Sequence, residues 1–217
     1  MLQNKKNVFW EALIMTVAIF VVGLFLGMTI ETTNSNKINN LYIASEISLV
    51  DATTISQLAE EESIGCESIK ETKINFANKV YEEAKQLEIY ETSGKLTSGL
   101  KLLHKKYDLL RTILWISSEK SLERCENYNL IVYLYEYESE DLEVKATQKV
   151  WSRILSDVTQ EKENILLLPI AADEDLSSLN ILLDKYEIET LPALVINNQD
   201  IVYNIENSKS LDEFLIN

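Results

Sequence analysis

The chain is poor in the residues from which most catalytic centres are built. Its one histidine, His104, excludes any site with several imidazole ligands, and its two cysteines, Cys66 and Cys125, exclude a zinc cage of thiolates. Five glycines and two prolines in 217 residues argue against collagen-like, glycine-rich and turn-dense all-β organisation. No Lys/Arg block occurs and the formal net charge is −15, so nucleic acid is not expected as a partner. A glycine-rich phosphate loop, a nucleophile elbow and a metal-ligand cluster are all missing. No catalytic residue, cofactor or metal is therefore expected. What is present is ordinary globular usage, 46% apolar and 25% charged, which excludes a largely disordered chain.

The strongest local signal is apolar. From Ala12 to Ile30 nineteen residues carry no charge, with Val8 to Trp10 extending them and Glu11 at the edge. As a helix this stretch is about 30 Å long, the hydrocarbon thickness of a bilayer. A cleaved signal peptide is the rival reading, but its apolar core is about 7–15 residues and ends in a small-x-small site. Gly27-Met28-Thr29 fits that site poorly, so an uncleaved single-span anchor is expected. Lys5 and Lys6 precede it, whereas Glu31 and a polar run follow, which predicts a cytoplasmic N-terminus and residues 31–217 outside the cell membrane. That outer part carries 18 basic and 34 acidic residues, a net −16 that reads first as a solubility feature. Gly23 and Gly27 form a GxxxG pair, which is either a homodimer contact between spanning helices or a chance spacing.

Four segments follow from the patterning: a cytoplasmic tip and anchor (1–30), a polar linker and stalk helix (31–64), a helical hairpin with a cysteine at each end (65–126), and an α/β domain (127–217). In the stalk, Ile38, Leu41, Tyr42, Ile47, Leu49, Ile55 and Leu58 are the candidate buried positions, with Asp51 able to cap a second helix after a break. The hairpin's first helix spans about Cys66 to Glu91, with Ile69, Phe76, Val80, Ala84 and Leu87 along one side. Thr92-Ser93-Gly94 is the turn signal. The second helix, about Lys95 to Arg124, has a stripe Leu96, Leu100, Leu103, Tyr107, Leu110, Leu114 and a second stripe Leu102, Leu109, Ile113, Ile116. His104 lies among Lys101, Lys105 and Lys106 and reads as a solvated surface residue. Folding the hairpin at Ser93 returns Cys66, 27 residues before it, and Cys125, 32 residues after it, to the same end. In an oxidising compartment a Cys66–Cys125 bridge is expected, with two free buried thiols as the alternative.

Beyond Cys125 the period changes. Leu130 to Tyr137 is a strand buried on both faces, followed by a helix from about Ala146 to Glu161 with Val150, Ile154, Leu155 and Val158 inward. Asn164 to Ala172 is a second apolar strand, and a helix follows from about Leu176 to Tyr186. Leu191 to Ile196, a turn at Asn197-Asn198-Gln199-Asp200, Ile201 to Tyr203 and a last helix from about Ser208 complete a βαβαββα order.

That order, with the phrase YEIETLPALVINNQDIVYNI, resembles the thioredoxin fold, in which a cis-proline opens the third strand; Pro192 holds that place. The anchor, the helix LLHKKYDLLRTILWISSEKSLERC ending in a cysteine, YLYEYES and the proline strand resemble a family of membrane-anchored thioredoxin-like proteins found in archaea. The resemblance covers most of residues 60–217 and implies a thioredoxin-like C-terminal domain behind a helical hairpin and one transmembrane helix. It departs from the family at the redox motif. Counting from Gln148, the two cysteine positions fall at Leu142 and Lys145, and no cysteine occurs after Cys125. The domain cannot run dithiol exchange.

The expectation is therefore a non-enzyme: a redox-inactive module that binds membrane or exported proteins. Its edge at Leu191 and Pro192 either pairs with an extended peptide or is a relic of the fold. A structural subunit of a membrane complex is the first alternative. The second is a thiol-disulfide oxidoreductase using Cys66 and Cys125, disfavoured by the negative charge of Glu61, Glu62, Glu67, Glu123 and Glu126 near the thiols.

Overall fold

The computed structural model describes residues 3–92, 98–125, 128–137 and 139–215. Backbone contacts divide the chain into two units, Met1–Ile43 and Ala44–Asn217. Helix α1, Gln3–Leu58, begins in the first and ends in the second. Its segment Val8–Ile30 has a mean hydropathy of 2.6, is fully exposed, and is long and apolar enough to cross a membrane. The polar stretch 31–37, expected as a linker, is helical. No Gly or Pro occurs between Met28 and Gly65 to interrupt it. Thr29 and Thr32 turn their hydroxyls back onto the carbonyls of Leu26 and Met28, each at 2.9 Å, so these hydroxyls find acceptors within the helix itself. Asp51 consequently lies inside α1 and caps nothing.

In the second unit the buried face of α1 is made of small residues, Ser45, Ser48 and Ala52, with Ala59 buried just past its end. Tyr42, Ile47 and Leu58, expected inside, are exposed. Small side chains bring the helix axis closer to its neighbours, and Lys79 reaches across to donate to Ser48 Oγ at 3.3 Å. Helices α2 (Cys66–Thr92) and α3 (Ser98–Leu122) pack on each other. The expected turn at Ser93-Gly94 and the start of the stripe at Leu96 lie outside the described residues. From Leu100 to Leu114 the first leucine stripe of α3 is buried as expected, but Leu102 and Ile116 of the second are exposed. Polar Asp108, Arg111, Thr112, Ser117 and Ser118 are buried instead.

A four-stranded sheet of order β2-β1-β3-β4 follows, built from β1 (Asn129–Tyr135), β2 (Ile165–Ala171), β3 (Ala193–Ile196) and β4 (Asp200–Val202). Strands β1 and β2 are parallel; β3 runs antiparallel to both β1 and β4. Alternation gives the sheet two apolar faces. Ile131, Tyr133, Ile165, Leu194 and Ile196 pack with Trp151, Leu155 and Val158 of α4 (Leu142–Glu161), and with Leu211 of a short 3-10 helix, Ser208–Leu211. Trp151 takes the inward position expected of Val150, which is exposed. The opposite face meets α3, which also touches α5 (Ser177–Lys185). Helix α4 starts one turn earlier than the apolar pattern suggests, because Asp141 Oδ1 accepts from Glu143 N at 2.8 Å as its N-cap. Asn197 and Asn198 both adopt left-handed φ, 50° and 59°, and Gln199 N closes onto Ile196 O at 3.0 Å. That is the tight primed turn that matches strand twist.

Cys66 and Cys125 form a disulfide with Cα atoms 5.4 Å apart. Beside it Arg124 donates to the carbonyls of Glu61 at 2.7 Å and Ala59 at 3.2 Å, fastening the loop after α1 to the end of α3. One helix turn further in, Lys73 is fully buried, and its Nζ donates to Ser121 Oγ at 2.7 Å. Burial, aided by the positive Arg124, pulls the Lys73 pKa down to about 7.

Two outcomes follow from this corner. Replacing both cysteines with serine removes a link between residues 59 apart and should lower the unfolding free energy by about 4 kcal/mol, read from urea midpoints. Lys73 is neutral in the fold above about pH 7 and protonated when unfolded up to about 10.5. The unfolded state thus binds the extra proton across that window, and the Lys73 contribution to stability rises with pH from 7 to 10. Lys73→Met should be more stable than wild type at pH 7, with the gap shrinking toward pH 10. A constant gap would show that Lys73 does not titrate in this window.

Candidate functional site

The chemistry-bearing groups of the second unit gather at two ends of the sheet. At the end where β1 and β2 finish and β3 starts, a cleft of about 420 Å³ opens. Its floor is apolar, from Ala172, Leu183, Ile188 and Leu191, and Glu136 and Glu189 border it. Register explains the convergence: Leu134 pairs with Ala193 in antiparallel fashion, so the residues just past them, Glu136 and Leu191, come to face each other.

The segment that carries Leu191 is held at its root. Helix α5 ends with Glu187 at a left-handed φ of 50°, Glu187 N bonding Asp184 O at 3.2 Å and Ile188 N bonding Leu183 O at 3.0 Å. This is the paired closure in which glycine is the usual residue. Tyr203 adds a clasp from beyond β4, accepting from Glu189 N at 3.4 Å. Past this point the backbone is open. Among the described residues no hydrogen bond reaches the amides of Thr190 or Leu191, and the Leu191–Pro192 bond is cis. Leu142, at the first turn of α4 on the same end of the sheet, is 79% exposed, and Lys145 is exposed one turn on.

Behind this end stands a buried polar group that the sequence did not reveal. Asp108 on α3 is fully buried; its Oδ1 accepts from Arg111 Nη1 at 3.1 Å and from Ala171 N at 3.2 Å. His104 Nε2 lies 3.3 Å from Asp108 Oδ2, and its ring stacks on Tyr137 with centroids 3.8 Å apart. His104 is thus not a solvated surface residue. Its lysine neighbours in sequence point elsewhere, while its own ring fills the gap between α3 and the end of β1. Burial, reinforced by Arg111, lowers its pKa to about 3, and burial raises that of Asp108 to about 7 despite Arg111.

The disulfide belongs to the other end. Cys125 precedes β1 and the cleft follows it, so seven strand residues, about 20 Å, lie between the chain's two cysteines and the Leu191 segment. Cys125 is buried and Cys66 half-buried, with Cys66 Sγ 3.8 Å from the Arg124 carbonyl. Among the described residues no group of three His, Cys, Asp or Glu side chains is placed to hold a metal. In the first unit, a Cβ built on Gly23 or Gly27 meets open space.

The opposed shifts at His104 and Asp108 give a test of the buried group. His104 favours the fold as pH rises from about 3 to 6.5, because only the unfolded form stays protonated there. Asp108 does the reverse from about 3.8 to 7, since its folded form holds the proton longer. Their slopes offset. Asp108→Asn should therefore gain stability relative to wild type as pH rises from 4 to 7, by at most about 1.4 kcal/mol per pH unit. Urea midpoints across that range would read it, and a parallel pair of curves would exclude a protonated Asp108.

No protein-family model matches this chain, and no curated protein matches it.

Proposed function

We propose that the second unit is a redox-inactive, thioredoxin-like docking module that binds an extended segment of another membrane or exported protein. In this reading the apolar segment Val8–Ile30 anchors it in the cell membrane, with the N-terminus cytoplasmic and the module outside. The strand order β2-β1-β3-β4 and the cis bond before β3 support the thioredoxin-like reading. The observation that carries the function is the open backbone of Thr190 and Leu191 above an apolar cleft. Thr190 and Leu191 lie just before β3 begins at Ala193, and open backbone amides beside a side-chain pocket are groups with which an extended peptide can pair. Thiol exchange is disfavoured because no cysteine stands at Leu142 or Lys145, and the two cysteines present lie at the far end of β1.

Crosslinking in native membranes followed by mass spectrometry tests this directly. Crosslinks to other proteins should concentrate on residues around Leu142, Lys145 and Leu191. The double substitution Leu142→Ser, Leu191→Ser removes apolar surface without adding charge and should cut those crosslinks several-fold while leaving the thermal transition within a few degrees. An unchanged crosslink pattern would move the function to the helices, as in a structural subunit. Protease added to spheroplasts should digest the module, and its protection would overturn the orientation.

A further inference from the structure

We propose that the occupant of the Leu191 cleft is a basic peptide segment, with one bulky apolar side chain in the cleft and lysines or arginines on either side. This rests on the docking reading above and adds the chemical class of the partner. The cleft is near the low end of small-ligand sites in volume, and its lining joins apolar Ala172, Leu183, Ile188 and Leu191 to polar Glu136, Glu189 and Thr190. Its surroundings are acidic. The three segments that meet at this end of the sheet, residues 136–145 with the first turn of α4, 172–176 and 187–192, hold nine acidic residues and a single basic one, Lys145, among their described residues. A net −8 over 20 described residues is a local concentration of negative charge.

Few of these carboxylates have structural employment. Asp141 caps α4, and Asp173 accepts from Tyr137 N at 2.8 Å. Glu136, Glu140, Glu143, Glu174, Asp175, Glu187 and Glu189 are paired with no Lys or Arg side chain among the described residues. Glu187 occupies a left-handed position where glycine avoids a cost of about 1 kcal/mol, so an anion stands there against the backbone preference. Unneutralised carboxylates around an apolar cleft repel acidic segments and draw in cationic ones. The free amides of Thr190 and Leu191 then fix the direction of the bound strand.

The test uses the full chain, disulfide intact, in nanodiscs of zwitterionic phosphatidylcholine, with short fluorescein-labelled peptides as probes. One has a central leucine flanked by arginines. In the others the flanks are serine or glutamate, or the arginines are kept and the leucine becomes serine. Anisotropy at about 20 mM NaCl should show the arginine-flanked leucine peptide binding about tenfold tighter than each of the others, with most of that advantage lost at about 200 mM. The double variant Glu136→Gln, Glu189→Gln should weaken it several-fold with unchanged thermal melting. Equal binding of the serine- and glutamate-flanked peptides would overturn the charge assignment while leaving docking in place. Binding that ignores both the central leucine and the two substitutions would be diffuse attraction and would overturn the proposal. If no peptide binds at either salt concentration, the docking reading falls with it.

Discussion

A fully buried carboxylate, Asp108, is the constraint on which the arrangement of the second unit depends. Burying an aspartate costs several kcal/mol unless its oxygens find donors. Asp108 Oδ1 finds Arg111 on its own helix and the amide of Ala171 at the end of β2, while Oδ2 accepts no hydrogen bond among the described residues and has His104 3.3 Å away. Sliding α3 by one turn, about 5.4 Å, would strand the carboxylate and unstack His104 from Tyr137. Leucines alone would tolerate such a slip, since Leu103, Tyr107, Leu110 and Leu114 offer similar surfaces turn after turn. The polar group therefore fixes the register of the helix on the sheet. Ala171 and Tyr135 end the strands from which the cleft residues Ala172 and Glu136 continue, so the cleft inherits that register.

How much of this could be read from the sequence depends on whether the determining contact was local or long-range. The strands were legible because Leu130–Leu134 and Leu166–Ile170 are apolar on both faces, and the first stripe of α3 because its steps of four and three are unbroken. The helicity of residues 31–37 was not, because polar composition was taken as a linker signal although nothing there breaks a helix. The small-residue face of α1 was missed for a related reason. Hydrophobic periodicity looks for large side chains, and Ser45, Ser48 and Ala52 bury by proximity instead. His104 was misread from its lysine neighbours, yet it stands four residues before Asp108, which stands three before Arg111. That is a polar stripe parallel to the leucine stripe, and charged residues one step from a core position are the available warning of a buried network.

The cleft was half legible. Leu191, Pro192, Leu142 and Lys145 could be named from the proline strand and the missing cysteines. The carboxylates could be counted but not located. The described residues of segments 136–145, which include the first turn of α4, 172–176 and 187–192 converge because β1 and β2 are parallel and β3 returns antiparallel beside β1. An acidity that looks evenly spread along the chain is gathered by topology onto one end of the sheet. Composition supports a statement about solubility; only the strand order turns it into a statement about a partner.

The two ends of the sheet divide the work accordingly. Near the start of β1 the disulfide, Arg124 and the Lys73–Ser121–Tyr128 chain hold the helices to one another and to the strand. At its finish the backbone is left unpaired over an apolar floor. An edge that reads main chain, one side chain and charge has few contacts with which to build affinity, so binding from solution is weak. Confinement changes that arithmetic. For a module and a partner held by the same membrane, tethering replaces bulk concentration with an effective one of order millimolar, enough to populate a contact that is weak in solution. On the proposed reading, low affinity is then compatible with steady occupancy, and the charge of the rim would select among the segments that come within reach.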